Sequence, residues 1–241
     1  MGDGDSAIVV GASSGIGREL ARELAADGYE VGLAARSLDR LREVGEALPT
    51  KSYVARMDVS DPEEARDRFH RLADAMGGVD LVVANAGTAR VNPDLDWDPE
   101  RETIDVNVRG FAATATAAMD RFEERRRGHL VGVSSVASRV GNGDAPAYGA
   151  SKAFVSNYFA GLRARTEGTD VTVTTIEPGY VDTDPMLDGD AFWVALPETA
   201  AEQIADAIRA KRSHAYVTRR WRLVAWLLEA VAGSVLRRVL S

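Results

Sequence analysis

At 241 residues, 45% of them hydrophobic, the chain is long enough for one large α/β domain with a buried core. A net charge of −8 speaks against nucleic acid as a partner, because such surfaces are normally basic. There is no cysteine, so no disulfide framework and no cysteine metal site, and the three histidines (70, 129 and 214) form no ligand cluster that could hold a metal.

The opening Met-Gly-Asp-Gly-Asp is polar and acidic, with no basic start and apolar stretch to export the chain, so a cytoplasmic protein is expected. Gly2 begins a superficial myristoylation pattern, but the acids that follow it favour a disordered leader. Residues 6–10 (Ser-Ala-Ile-Val-Val) then read as a short buried strand. It runs into Gly11-Ala12-Ser13-Ser14-Gly15-Ile16-Gly17 and a helical run from Arg18 to Asp27. Strand, glycine-rich turn and helix together present backbone N–H groups and a helix N-terminus to a pyrophosphate. In that reading Gly11 permits the tight turn, while Gly15 and Gly17 leave room for the phosphates and for helix–strand contact. The plain alternative is a glycine-rich turn that holds nothing. The spacing is G-x-x-x-G-x-G, distinct from the commoner G-x-G-x-x-G.

Apolar, β-rich runs recur at 6–11, 30–35, 51–57, 79–84, 129–134, 171–176 and 214–217. Helical patterns fill about 15–27, 37–48, 61–76, 98–126, 147–167 and 197–211. Asp61-Pro62-Glu63-Glu64 is a helix start, with an N-cap, a first-turn proline and acids at the positive end of the dipole; Pro197-Glu198 starts another. Strands that are nearly continuous apolar runs, alternating with helices, predict a parallel sheet of about seven strands covered on both faces. There is no internal repeat and no low-complexity linker. One doubly wound α/β domain over 1–218, followed by a C-terminal helix over 219–241, is the expected organisation.

Tyr148-Gly149-Ala150-Ser151-Lys152 lies on one of those helices. Residues at i and i+4 share a face, which puts the Lys152 ammonium beside the Tyr148 phenol. A tyrosine titrates near ~10, and a neighbouring cation favours the phenolate and lowers that value. A tyrosine so tuned can exchange a proton with a substrate oxygen. At this spacing the plain reading is a half-buried ring beside a solvated amine.

Taken together the motifs resemble the short-chain dehydrogenase/reductases, in their single-domain form, from about Ser6 to about Val217. The resemblance rests on the glycine turn at 11–17, Asp58-Val59 after the third strand and Asn85-Ala86-Gly87 after the fourth. Asn107, then Ser135 with Tyr148 and Lys152, and finally Pro178-Gly179 leading to Thr183 complete the order. It implies a Rossmann domain and hydride transfer between NADP(H) and a carbonyl or secondary alcohol, with Tyr148 moving the proton. Lys152 would lower the pKa of Tyr148 and bind the nicotinamide ribose. Ser135 would hold the substrate oxygen; Ser134 is its rival, but strand alternation lets only one reach the site and the family spacing selects Ser135. Asn107 would hold a water linking Lys152 to solvent, or simply be a kink residue in a polar pocket.

In that framework Ala35 stands where an acid would select NAD, and the guanidinium of Arg36 suits a 2′-phosphate, with Ser37 and Ser13 adding hydroxyls. NADP(H) is therefore expected over NAD(H). The glycine turn, with Ser14 and Ile16 in it, would hold the pyrophosphate, Asp58 the adenine amino group and Val59 the adenine ring. Asn85, Ala86 and Gly87 would line the ribose edge, and Pro178, Gly179, Val181 and Thr183 the nicotinamide end. Val10 and Ala84 depart from the family's usual Thr and Asn, so apolar packing is expected to replace a polar tie there.

The substrate is expected to be a small carbonyl or alcohol compound, under an apolar loop 184–196 with Met186, Phe192 and Trp193 as lining candidates and Val140, Gly141 and Asn142 opposite. The extension carries Val224, Leu228, Val231, Val235 and Val239 on one stripe, with Trp221, Trp226 and arginines at both ends. It would cover the substrate site or a partner subunit, pack on its own domain, or lie peripherally in a membrane interface; Glu229 and the arginines argue against a span. The helices at 98–126 and 147–167 resemble those by which family members form homodimers and homotetramers. Beside the enzyme stands a second class, a redox sensor or scaffold that binds NADP(H) without efficient turnover.

Overall fold

The computed structural model describes residues 5–182, 193–218 and 220–221. Seven strands are described: β1 (Ser6–Val10), β2 (Glu30–Ala35), β3 (Ser52–Arg56), β4 (Leu81–Ala84), β5 (Arg127–Val133), β6 (Asp170–Pro178) and β7 (His214–Val217). All pair in parallel, in the order β3-β2-β1-β4-β5-β6-β7. The expected doubly wound Rossmann-type sheet is present. Chain order reverses between β1 and β4, and in such sheets that switch point opens a crevice beyond the carboxyl ends of the strands.

Both faces of the sheet are covered, which explains the unbroken apolar runs. Ala7, Val9, Val31 and Leu33 face a core shared with α1 (Gly15–Ala26), α2 (Leu38–Glu46) and α7 (Pro197–Arg209). Ile8, Val10, Val82 and Leu130 face the other, with Phe69 from α3 (Pro62–Ala75), Phe122 from α5 (Phe111–Arg125) and Phe159 from α6 (Pro146–Arg165). Each such buried Phe or Leu contributes about 1.5–3 kcal/mol relative to an exposed one. A side chain at Gly132 on β5 would meet the Phe159 ring at 2.5 Å, so the glycine lets α6 lie directly on the sheet.

The predicted helix starts are present: Asp61 Oδ1 accepts from Glu64 N at 3.1 Å, and Pro62 and Pro197 stand in the first turns of α3 and α7. One expectation differs. The single helix expected over 98–126 is α4 (Trp97–Ile104), a π-helical turn at Asp105–Gly110, and α5. The widened turn carries the buried Asn107, and at its end a side chain on Gly110 would stand 2.3 Å from the Val59 carbonyl. No helix among the described residues is long and apolar enough to cross a membrane. Apart from Arg220 and Trp221, the expected C-terminal helix lies outside the described residues.

Candidate active site

A cavity of about 480 Å³ opens at the switch point between β1 and β4. It collects residues from the ends of six strands, and most of the expected site residues line it. From the first turn come Gly11, Ser13, Ser14, Gly15 and Ile16; from the ends of β2 and β3 come Arg36, Ser37, Asp58 and Val59. Asn85, Ala86 and Gly87 follow β4, Ser135 follows β5, Tyr148 and Lys152 project from α6, and Pro178, Gly179 and Val181 follow β6. Thr183, Met186 and Phe192 lie outside the described residues.

The first turn is shaped by close approach. Gly11 has φ +90°, and a side chain there would meet the Ala86 backbone at 2.8 Å. Its N–H donates to the Ala34 carbonyl at 2.7 Å, and Asn85 Nδ2 donates to its own carbonyl at 3.1 Å. That last bond corrects an expectation: Val10 and Ala84 are indeed buried and apolar, but a polar tie survives between the two loops, moved to Asn85. Gly17 does not line the cavity; a side chain there would meet the Gly11 carbonyl at 2.2 Å, so its lack of one lets the helix start lie close against the turn.

At the opposite end, Lys152 Nζ donates to the Val133 carbonyl at 3.1 Å and lies 5.8 Å from the Tyr148 ring centroid. The shared helical face inferred from the spacing therefore holds. Asn107 stands behind the wall, 1% exposed, with Oδ1 accepting from Thr88 N at 2.8 Å and Nδ2 donating to the Thr88 carbonyl at 2.8 Å and Ser151 Oγ at 3.0 Å. A side chain on Gly87 would stand 3.3 Å from both Asn107 Oδ1 and Lys152 Nζ, so these three form one corner. Ser135 begins a short 3-10 turn (Val136–Arg139); its Oγ accepts from Ala137 N at 3.1 Å. Ser134 also touches the cavity, but its hydroxyl is spent on the Lys152 carbonyl and on Ser156 Oγ, each at 2.8 Å.

Some lining residues are not among those expected from the sequence. Arg40, in the first turn of α2 and four residues after Arg36, could have been found as a second guanidinium near the expected phosphate. Arg90 and Glu102 could not: they come from separate elements and meet in a two-bond fork at 2.9 and 2.6 Å. Hydrogen bonding from Arg90 holds the Glu102 carboxyl below its ordinary range, outweighing burial, and the charge of Arg36 adds to the effect. Glu100, from α4, accepts from Ala147 N at 3.1 Å and from Asn92 Nδ2 at 2.9 Å, capping the helix that carries Tyr148. Val140 to Asn142, expected as the wall opposite the substrate loop, are exposed and outside the cavity lining. Trp193 packs edge-on at 6.2 Å to Trp221, which is buried against Gly179.

The profile of the short chain dehydrogenases matches residues 5–189. The chain belongs to that family of oxidoreductases. An uncharacterized oxidoreductase of Myxococcus xanthus is 43% identical over 184 residues, covering 74% of this chain and 73% of the relative. Among solved structures, an alcohol dehydrogenase from the archaeon Thermococcus sibiricus, complexed with 5-hydroxy-NADP, superposes with a TM-score of 0.79 at 26% identity, covering 88% of this chain and 95% of that one. A short chain dehydrogenase/reductase from Burkholderia phymatum, in complex with NAD, has the same fold at a TM-score of 0.83 and 21% identity, covering 93% and 92%. One relative by fold thus holds NAD and another an NADP derivative. For this short-chain dehydrogenase the choice of cofactor rests on its own side chains.

Proposed function

We propose that the protein is an NADP(H)-dependent oxidoreductase acting on a carbonyl or secondary alcohol, with Tyr148 as general acid and base. The observation that carries this is the single cavity running from Arg36 and Asp58 at one end to Ser135, Tyr148 and Lys152 at the other. A dinucleotide fits it: the volume suits a ligand of that class, and the corner that a side chain on Gly87 would fill is left open. When bound, the nicotinamide supplies or takes the hydride.

The chain's own residues do the rest. The glycine turn and the N-terminus of α1 offer backbone N–H groups to phosphates. Asp58 and Val59 would receive the adenine, and Asn85, Ala86, Gly87, Pro178, Gly179 and Val181 the ribose and nicotinamide walls. Arg36, with Arg40 beside it, is suited to a 2′-phosphate, since a guanidinium binds phosphate through a planar fork. Ser135 is suited to hold the substrate oxygen, so that Tyr148 gives its proton to that oxygen in reduction and takes it back in oxidation. Lys152 would hold the ribose and, as a cation, favour the phenolate. Asn107 fixes the loop at Thr88 and helix α6 at Ser151, which keeps Lys152 in register. Beyond the carbonyl or alcohol group, the substrate is read only as lipophilic, from the apolar residues expected in the loop after Thr183.

The test is a panel of lipophilic ketones, aldehydes and secondary alcohols, followed by the change in NADPH absorbance, with wild type and Arg36→Asp. Turnover is expected with a preference for NADPH, and kcat/KM for NADPH should fall about 100-fold or more in the variant, roughly the loss of a charge-assisted phosphate contact. Binding of NADPH without oxidation by any substrate would instead support the sensor or scaffold. An unchanged cofactor preference in the variant would remove Arg36 from phosphate recognition.

A further inference from the structure

We propose that Glu177 is a positioning residue of this oxidoreductase: its buried carboxylate locks the turn that carries Ser135 onto the helix that carries Tyr148 and Lys152. The inference rests on the reading of Ser135 and Tyr148 given above. Glu177 lies on β6, 1% exposed, immediately before Pro178. A carboxylate so buried must be compensated by donors, and these donors come from the surrounding catalytic elements.

Arg139 ends the 3-10 turn that follows Ser135. It forks onto Glu177, with Nη2 at 2.9 and 3.2 Å from the two carboxylate oxygens and Nε at 3.2 Å from one of them. Ser156, one turn of α6 beyond Lys152, donates to the same carboxylate at 3.1 Å. Ser156 Oγ is also 2.8 Å from Ser134 Oγ, which donates to the Lys152 carbonyl at 2.8 Å. His214 Nε2, from β7, stands 3.4 Å from the carboxylate. One side chain therefore joins β6, the turn after β5, helix α6 and the edge strand.

The geometry explains why the turn needs such an anchor. Val136–Arg139 is only four residues long and only half-buried, so little apolar surface holds it. Its orientation decides where Ser135 Oγ lies relative to Tyr148, and an error of about 1 Å in such a placement costs up to ~100-fold in rate. Burial alone would push the Glu177 carboxyl up, but the nearby His214 ring and the hydrogen-bonded guanidinium of Arg139 more than offset this and hold it below its ordinary range. The pair is thus kept ionised, as an orienting clamp requires. Stability alone does not call for a charge here, since an apolar replacement of a buried ion pair is often as stable.

The experiment compares Glu177→Gln and Arg139→Lys, each in the wild type and in Ser135→Ala. If Glu177 acts through Ser135, Glu177→Gln should lower kcat about 10- to 100-fold in the wild type but less than about 2-fold in Ser135→Ala, with the Kd for NADPH changed by less than about 3-fold. Arg139→Lys, which keeps the charge and loses the fork, should show the same pattern at smaller size and covers the case in which the Glu177 variant does not fold. Equal losses in both backgrounds, or an undiminished kcat, would overturn the proposal. Hydrogen exchange of the 135–140 amides should accelerate in either variant while those of α1 stay unchanged, and unchanged exchange in 135–140 would also overturn it. That readout needs no turnover, so with an inactive wild type the catalytic reading would fail while accelerated exchange still showed Glu177 anchoring the turn.

Discussion

At the scale of single residues, the site depends on a phenol, an ammonium and a hydroxyl that the fold brings to one end of a cavity. Tyr148→Phe tests the first. It removes one oxygen and leaves the ring, so the Kd for NADPH should change by less than about 3-fold while kcat falls by about 100-fold or more, the usual reach of general acid–base catalysis. Titration of bound NADPH and single-turnover kinetics would check both halves. Full activity in the variant would take Tyr148 out of the mechanism. Tyr148 and Lys152 were legible in the sequence because four residues of helix is a local distance. Arg90 and Glu102 were not, since they stand twelve positions apart, with a loop between them, before they meet at the cavity.

At the scale of elements, what matters is how helix α6 is held. Gly132 lets it press on the sheet, and Glu100 caps its N-terminus from α4. Glu100 also receives Asn92 Nδ2, while Asn92 N donates to the Asp144 carbonyl just ahead of α6, so the loop after β4 is stitched to that helix start. Glu100→Ala leaves the Ala147 N–H and one Asn92 donor without their acceptor. It should lower unfolding free energy by about 1–2 kcal/mol, on the scale of a lost N-cap. Glu100→Gln keeps one oxygen for two donors and should fall between. Urea unfolding of the three proteins decides it, and equal stability of Glu100→Ala and wild type would contradict the capping role. The start of α3 was readable because its cap is local, Asp61 to Glu64. The cap of α6 was not, because 47 residues separate Glu100 from Ala147.

At the scale of the whole molecule, the parallel sheet buries a histidine whose effect is global. His129 on β5 has Nε2 2.8 Å from Thr174 Oγ1 on β6. Burial, helped by the charge of Lys211, lowers its pKa to about 4, from an ordinary 6.5. The folded state thus prefers the neutral ring, and between those values the unfolded chain binds more protons. Stability from this group is complete above about pH 6.5 and is lost as pH falls towards 4. Between pH 7 and 5 the wild type should lose about 2 kcal/mol more than His129→Gln, as measured by denaturant unfolding at the two pH values. An identical pH response in the two proteins would show that His129 is not the group responsible.

The amino-acid sequence by itself determined the alternation of strands and helices, the glycine turn, the starts of α3 and α7, the pairing of Tyr148 with Lys152 and most residues along the cavity. All of these are written in local periodicity or in motifs whose members stay close along the chain. Only the tertiary structure decided that Gly17 serves packing, that Asn85 supplies the tie expected to be apolar, that a π turn interrupts the long helix, and that Arg139, Ser156 and His214 converge on Glu177. Those outcomes depend on the spatial order of the strands. Residues far apart in the chain become neighbours only when β1 and β4 lie side by side and the turns at their carboxyl ends are pressed together.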